Sequence, residues 1–154
     1  MGADLCSQDE CQDILAQIPQ SGSFRFLDQI RELSDSHIIA NYRFRGDEWF
    51  YSGHFPGDPV TPGVILIEAM AQAGLVALGI YLLRKENPKM KLRTLFSECE
   101  VEFFEVVPPG AQITITGTKI YWRQHKLKSS VEITLDNGRR AAAGTIAGLG
   151  VEVE

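Results

Sequence analysis

Histidine and cysteine are scarce in these 154 residues, with three of each. His37, His54 and His125 do not lie four residues from one another or three to four from Cys6, Cys11 or Cys99, and no CxxC pair occurs. The spacing points away from a structural metal site and leaves three ordinary thiols. Positive charge is also in deficit. A net charge of −5 argues against nonspecific nucleic-acid binding, which draws its affinity from cations meeting phosphates. A basic or apolar leader is missing too: Met1 to Asp13 carries Asp4, Asp9, Glu10 and Asp13 and no apolar stretch. It therefore reads as neither a secretory signal nor a transit peptide, and a cytosolic protein is expected. Met1-Gly2 opens a myristoylation pattern, but the position that should hold Ser or Thr holds Cys6. With no repeats or low-complexity tracts, one domain is expected over residues 1–154, beginning with a helical segment over 1–18.

What is present is patterned. Ser7-Gln8-Asp9-Glu10 has the form of a capping box, followed by Ile14, Leu15 and Ile18 at helical spacing before Pro19. Period-two alternation through Phe24 to Ile30 and His37 to Phe44 predicts two strands with a turn at Asp35-Ser36. Residues 95–107, 111–122, 129–135 and 140–149 alternate in the same way, and Asp136-Asn137-Gly138 signals a hairpin. Between these groups, Val64 to Leu83 is almost wholly apolar, broken by Glu68 and Gln72, with Thr61 placed as N-cap and Pro62 as first helical residue. Twenty such residues would reach across a bilayer. The cost of an intramembrane Glu and the soluble character of the flanking chain favour a buried core helix instead. One long helix with five to seven antiparallel strands reads as α+β, the sheet wrapping the helix.

The chemistry concentrates around the start of that helix. YSGHFPGDPVTPG, residues 51–63, holds three Pro and three Gly and predicts an ordered loop with special backbone angles. His54 lies in it, Gly63 ends it, and Glu68 follows within the helix. A histidine in a largely apolar site can take a proton near neutral pH. A glutamate with few polar neighbours should stay protonated and serve as an acid. The Gly63 N–H, near the positive end of the helix dipole, can receive a carbonyl oxygen that gains charge. Base, acid and oxyanion donor together suit proton abstraction beside a carbonyl, then loss of water. Taken singly, His54 reads rather as a loop histidine bonded to backbone, and Glu68 as a buried carboxylate paired with an Arg or with Gln72.

GHFPGDPVTPGVILIEAMAQAG, residues 53–74, closely resembles the signature of 3-hydroxyacyl-acyl-carrier-protein dehydratases of the FabZ/FabA family. FSECEVEFFEVVPPG, residues 96–110, resembles the family's strand and Pro-Gly turn, and RFLDQI, residues 25–30, its early strand, so that the likeness spans residues 18–148. It implies a hot-dog fold and a homodimer, with trimers of dimers open, in which His54 of one subunit faces Glu68 of the other. His54 would remove the C2 proton and Glu68 would assist departure of the C3 hydroxyl. The Gly63 N–H would polarise the thioester carbonyl, giving a trans-2-enoyl product without a cofactor.

By analogy Phe55, Val64 and Met70 would shape the acyl tunnel, although Phe55 and Met70 read equally as core. The substrate would arrive on the phosphopantetheine arm of an acidic acyl carrier protein. Two basic segments, 84–93 and 119–128, supply a candidate docking patch at Arg84, Lys85, Lys126 and Lys128. Glu68 and AMAQ resemble the dehydratase-only branch, so little isomerase activity is expected; GDPV is closer to the bifunctional branch, and IPQSGSFRF departs from the usual early segment. The competing readings are a hot-dog thioesterase and a catalytically silent subunit that binds carrier protein.

Overall fold

A computed structural model of the chain describes residues 4–153; the Gly2 lipidation reading lies outside the described residues. Helix α1, Gln8–Gln17, starts where the capping signal places it, with the Ser7 side chain accepting from the Glu10 N–H at 3.1 Å. Its apolar stripe buries Cys11 and Ile14. A short 3-10 turn, Gly22–Phe24, leads to β1, Gln29–Leu33, and β2, His37–Arg43. The first strand is thus shorter and later than its apolar alternation suggests. Phe24 sits in the turn, and the alternation around Phe26 reflects packing under the sheet rather than pairing in it: Phe26 is fully buried, edge-on to Tyr42 at 5.7 Å.

Helix α2, Gly63–Glu86, runs through the middle. Its first turn carries no side-chain cap, since Pro62 occupies the N-cap position. The Thr61 hydroxyl, expected to cap, instead bonds the Tyr51 hydroxyl at 2.6 Å. At Gln72–Ala77 the helix widens into a π-helical stretch before returning to α geometry at Leu78–Glu86. Ser129 donates to the Gly74 carbonyl within this stretch at 2.7 Å. The helix is long and apolar enough to cross a membrane, but 67% of its most apolar window is buried inside the protein, as befits a core helix.

Four longer strands follow: β3, Leu92–Phe103; β4, Gln112–Arg123; β5, Lys126–Leu135; and β6, Arg140–Glu152. The six strands form one antiparallel sheet in the order β1-β2-β4-β5-β6-β3, so the strand after the helix crosses to the far edge. The predicted Asp-Asn-Gly turn joins β5 to β6, with Gly138 at φ +82°. The sheet wraps α2 closely because two glycines meet: a Cβ on Gly117 would lie 3.1 Å from the Gly74 Cα. This is the α+β hot-dog architecture, its core formed by α2 against the inner face of the sheet.

Candidate active site

The loop between β2 and α2 is ordered by its own backbone. Phe55 and Asp58 exchange N–H to carbonyl bonds at 3.1 and 2.9 Å around Gly57, whose φ of +76° favours glycine. The Thr61 N–H donates to the Val107 carbonyl at 3.0 Å, fixing the loop's end to the strand side. Beneath it Tyr51 is buried, and burial pushes its phenol up to about 12 despite the Thr61 bond. His54 is half-buried and stacks on exposed Phe55, ring centroids 4.0 Å apart.

Val60 determines the state of His54. The Val60 N–H donates to the His54 carbonyl at 2.9 Å, and the His54 Nδ1 lies 2.9 Å from the Val60 carbonyl oxygen. A carbonyl only accepts, so Nδ1 carries the hydrogen. In the neutral ring Nε2 is then bare, the tautomer a general base requires.

Glu68 lies in the second turn of α2 and is half-buried. Burial raises its pKa above the ordinary carboxylate value, opposed by one hydrogen bond, from Gln72 Nε2 to Glu68 Oε1 at 3.1 Å. The proton is therefore held more tightly than in a solvated glutamate, as an acid requires. Gly63 opens the helix, where first-turn amides lack intrahelical carbonyls. The Phe103 ring covers it so closely that a Cβ there would meet Phe103 Cζ at 2.9 Å.

Among the described residues no hydrogen bond or ion pair joins His54 to Glu68 within the protomer; each has its own partner. Phe55 and Val64 are 52% and 73% exposed beside them, whereas Met70 is fully enclosed in the core. The four basic residues of the candidate patch each hold a carboxylate: Arg84 with Asp13 at 2.9 Å, Lys85 with Asp35, and Lys126 and Lys128 with Glu98 at 2.7 and 3.9 Å. Among the described residues no group of three or more His, Cys, Asp and Glu is placed to hold a metal.

Two features went unseen in the sequence. One is Val60, which acts through its backbone. The other is a cavity of about 310 Å³ further along α2, bounded by Leu75, Val76, Gly79, Leu83, Leu92 and Leu127. Its lining is assembled from four segments distant in sequence, within 17–19, 75–94, 122–127 and 148–153.

A family model described as a FabA-like domain matches residues 18–142. Proteins named 3-hydroxyacyl-acyl-carrier-protein dehydratase FabZ from Streptococcus pyogenes serotypes M3 and M1 are 35% identical over 137 residues, covering 89% of this chain and 95% of theirs. Among solved structures, the dehydratase heterocomplex ApeI:P from Xenorhabdus doucetiae superposes with TM-score 0.73 at 19% identity, covering 92% of this chain and 91% of that one. A hypothetical thioesterase with coenzyme A from Streptococcus pneumoniae superposes with TM-score 0.56 at 16% identity, covering 80% and 84%. At such identities both structures speak to the fold alone.

Proposed function

The chain belongs to the FabA-like family, and we propose that it works in it as a dehydratase through His54 and Glu68, one residue from each of two copies. Its activity is that of a 3-hydroxyacyl-acyl-carrier-protein dehydratase, the reaction of fatty-acid biosynthesis named for its relatives. The observation that carries the assignment of residues is their complementary protonation. The neutral His54 ring has a bare Nε2 because its Nδ1–H donates to the Val60 carbonyl, and burial raises the Glu68 pKa above the ordinary carboxylate value. His54 Nε2 removes the C2 proton while the Gly63 N–H receives the thioester oxygen as charge builds there. The C2–H electron pair forms the C2–C3 double bond, the C3–O bond breaks, and Glu68 protonates the departing hydroxyl as water. Solvent then returns the proton from His54 to Glu68. No step requires a cofactor.

The second copy is supported by the sheet's edge. Among the described residues β3 has no strand partner on its outer side, and it carries Leu95, Phe96 and Phe103, between 44% and 52% exposed. An apolar, unpaired edge of this length invites another strand. A homodimer through β3 would cover it and bring the two half-sites together; trimers of such dimers are compatible with it. Phe55 and Val64 would line the acyl path, with Met70 behind the wall. The carrier protein would meet the cations Arg84, Lys85, Lys126 and Lys128, whose partly exposed ion pairs are individually weak and exchangeable. The whole chain would form one domain working in the cytosol.

Mixing two separately inactive chains, His54→Ala and Glu68→Gln, tests the shared site. Mixed dimers contain one intact pair, so 3-hydroxyacyl-carrier substrate should again lose water, read by mass. No recovery from chains shown to exchange would place both residues in one protomer's site. Release of free acid by the wild type would move the reading to a thioesterase.

A further inference from the structure

Either oxygen of the Glu68 carboxyl could in principle carry the acid proton. The choice between them lies with Gln72, wholly buried at the first position of the π-helical stretch. Its side chain makes three hydrogen bonds. Oε1 accepts from the Phe26 N–H at 2.8 Å, while Nε2 donates to the Phe24 carbonyl at 2.8 Å and to Glu68 Oε1 at 3.1 Å. A primary amide has two donor hydrogens, and here both are committed while its oxygen holds the Phe26 N–H. The Phe26 N–H requires the amide oxygen, and the Phe24 carbonyl requires the amide nitrogen, so the group cannot be turned over.

The second amide hydrogen must therefore point at Glu68 Oε1, which can only accept it. A neutral carboxyl has one O–H, and its carbonyl oxygen is a much stronger acceptor than its hydroxyl oxygen, so a donor fixed at Oε1 favours the carbonyl there and the O–H on the other oxygen. We propose that Gln72 is a positioning residue that confines the Glu68 proton to Oε2, the oxygen that then delivers it to the leaving hydroxyl. In the elimination Oε2–H breaks as the water O–H forms, and the resulting carboxylate keeps its Oε1 bond to Gln72. The same amide spans from the helix to the segment around Phe24 and Phe26, 46 to 48 residues away, so that the acid's orientation is set by the chain on the other side of the core. Among the described residues burial raises the pKa of this carboxyl and the Gln72 hydrogen bond opposes it; in the proposed dimer His54 of the second copy faces it. The inference rests on the proposed role of Glu68 as the acid.

Infrared difference spectroscopy of the resting protein tests it without relying on turnover. The Glu68 carboxylic-acid C=O band, followed as pH is lowered until it appears, should be found in wild type and be absent in Glu68→Gln. In Gln72→Met it should move to higher frequency, because the carbonyl oxygen loses its donor. Gln72→Glu is the companion variant: a neutral carboxyl at this position can still bond Phe24 and Phe26 but has no hydrogen left for Glu68; with its own C=O band identified in the Gln72→Glu, Glu68→Gln double variant and subtracted, the Glu68 band should make the same upward move. In both variants kcat should fall about tenfold or more with little change in KM, and the high-pH limb of kcat/KM should move upward as the carboxylate loses a donor. An unmoved band and limb, with activity falling only in step with the folded fraction, would overturn the proposal. A shifted band in a protein that does not dehydrate would leave the proton assignment standing and refute the catalytic reading it rests on.

Discussion

The two members of the pair are held in opposite ways. His54 is fixed by backbone: both of its bonds reach main-chain atoms of Val60, in a loop closed by reciprocal Phe55–Asp58 pairing. Glu68 is fixed by a side chain, Gln72, which is itself anchored to the chain at Phe24 and Phe26. Backbone support makes the base insensitive to the identity of its immediate partner. Side-chain support makes the acid adjustable, since one substitution can change its pKa without moving the helix.

The largest effects should come from the pair. His54→Ala and Glu68→Gln should each lower kcat/KM by about 10²–10⁴-fold, the usual contribution of a general acid or base, in a steady-state assay with a 3-hydroxyacyl-carrier substrate. On the acid's side, Gly74→Ala should destabilise the fold by about 1–3 kcal/mol, because the added Cβ would lie 2.9 Å from Val131 Cγ1 where α2 meets the sheet; denaturant titration measures this. On the base's side, Tyr51→Phe should cost about 1–3 kcal/mol in the same titration by leaving the buried Thr61 hydroxyl unpaired.

Two smaller effects sharpen the contrast. Burial raises the Glu68 pKa in the folded chain above its unfolded value, so the folded state binds the proton more tightly. Its contribution to stability is fully present below the unfolded pKa and is lost as pH rises through the folded one. Glu68→Gln should therefore melt above wild type at neutral and alkaline pH, with the gain shrinking as pH falls into the ordinary carboxylate range. Val60→Ala should leave kcat/KM close to wild type, because the bonds to His54 do not involve its side chain. A large loss there would remove the distinction between backbone and side-chain support.

Much of this was legible from residue order alone. The apolar run interrupted by Glu68 marks the core helix, and Ser7 with Glu10 marks the first one. The Gly and Pro density around His54 marks an ordered loop. Other features arise from contacts between segments distant in sequence. The π-helical stretch has no residue signature, since Gln72–Ala77 reads like the apolar helix around it. Thr61 has the chemistry of a cap but finds a better partner in Tyr51 once both are buried. Phe24 and Phe26 alternate like a strand because one side of the segment packs inward, while pairing begins only at Gln29. The strand order, with β3 crossing to the far edge, depends on how the sheet closes around α2.

The most direct test of the central claim is a mass-resolved time course on 3-hydroxyacyl-carrier substrates with wild type, His54→Ala and Glu68→Gln in parallel. Loss of water by the wild type alone, with all three proteins equally folded, is the predicted result. Dehydration by either variant at the wild-type rate would contradict the pair.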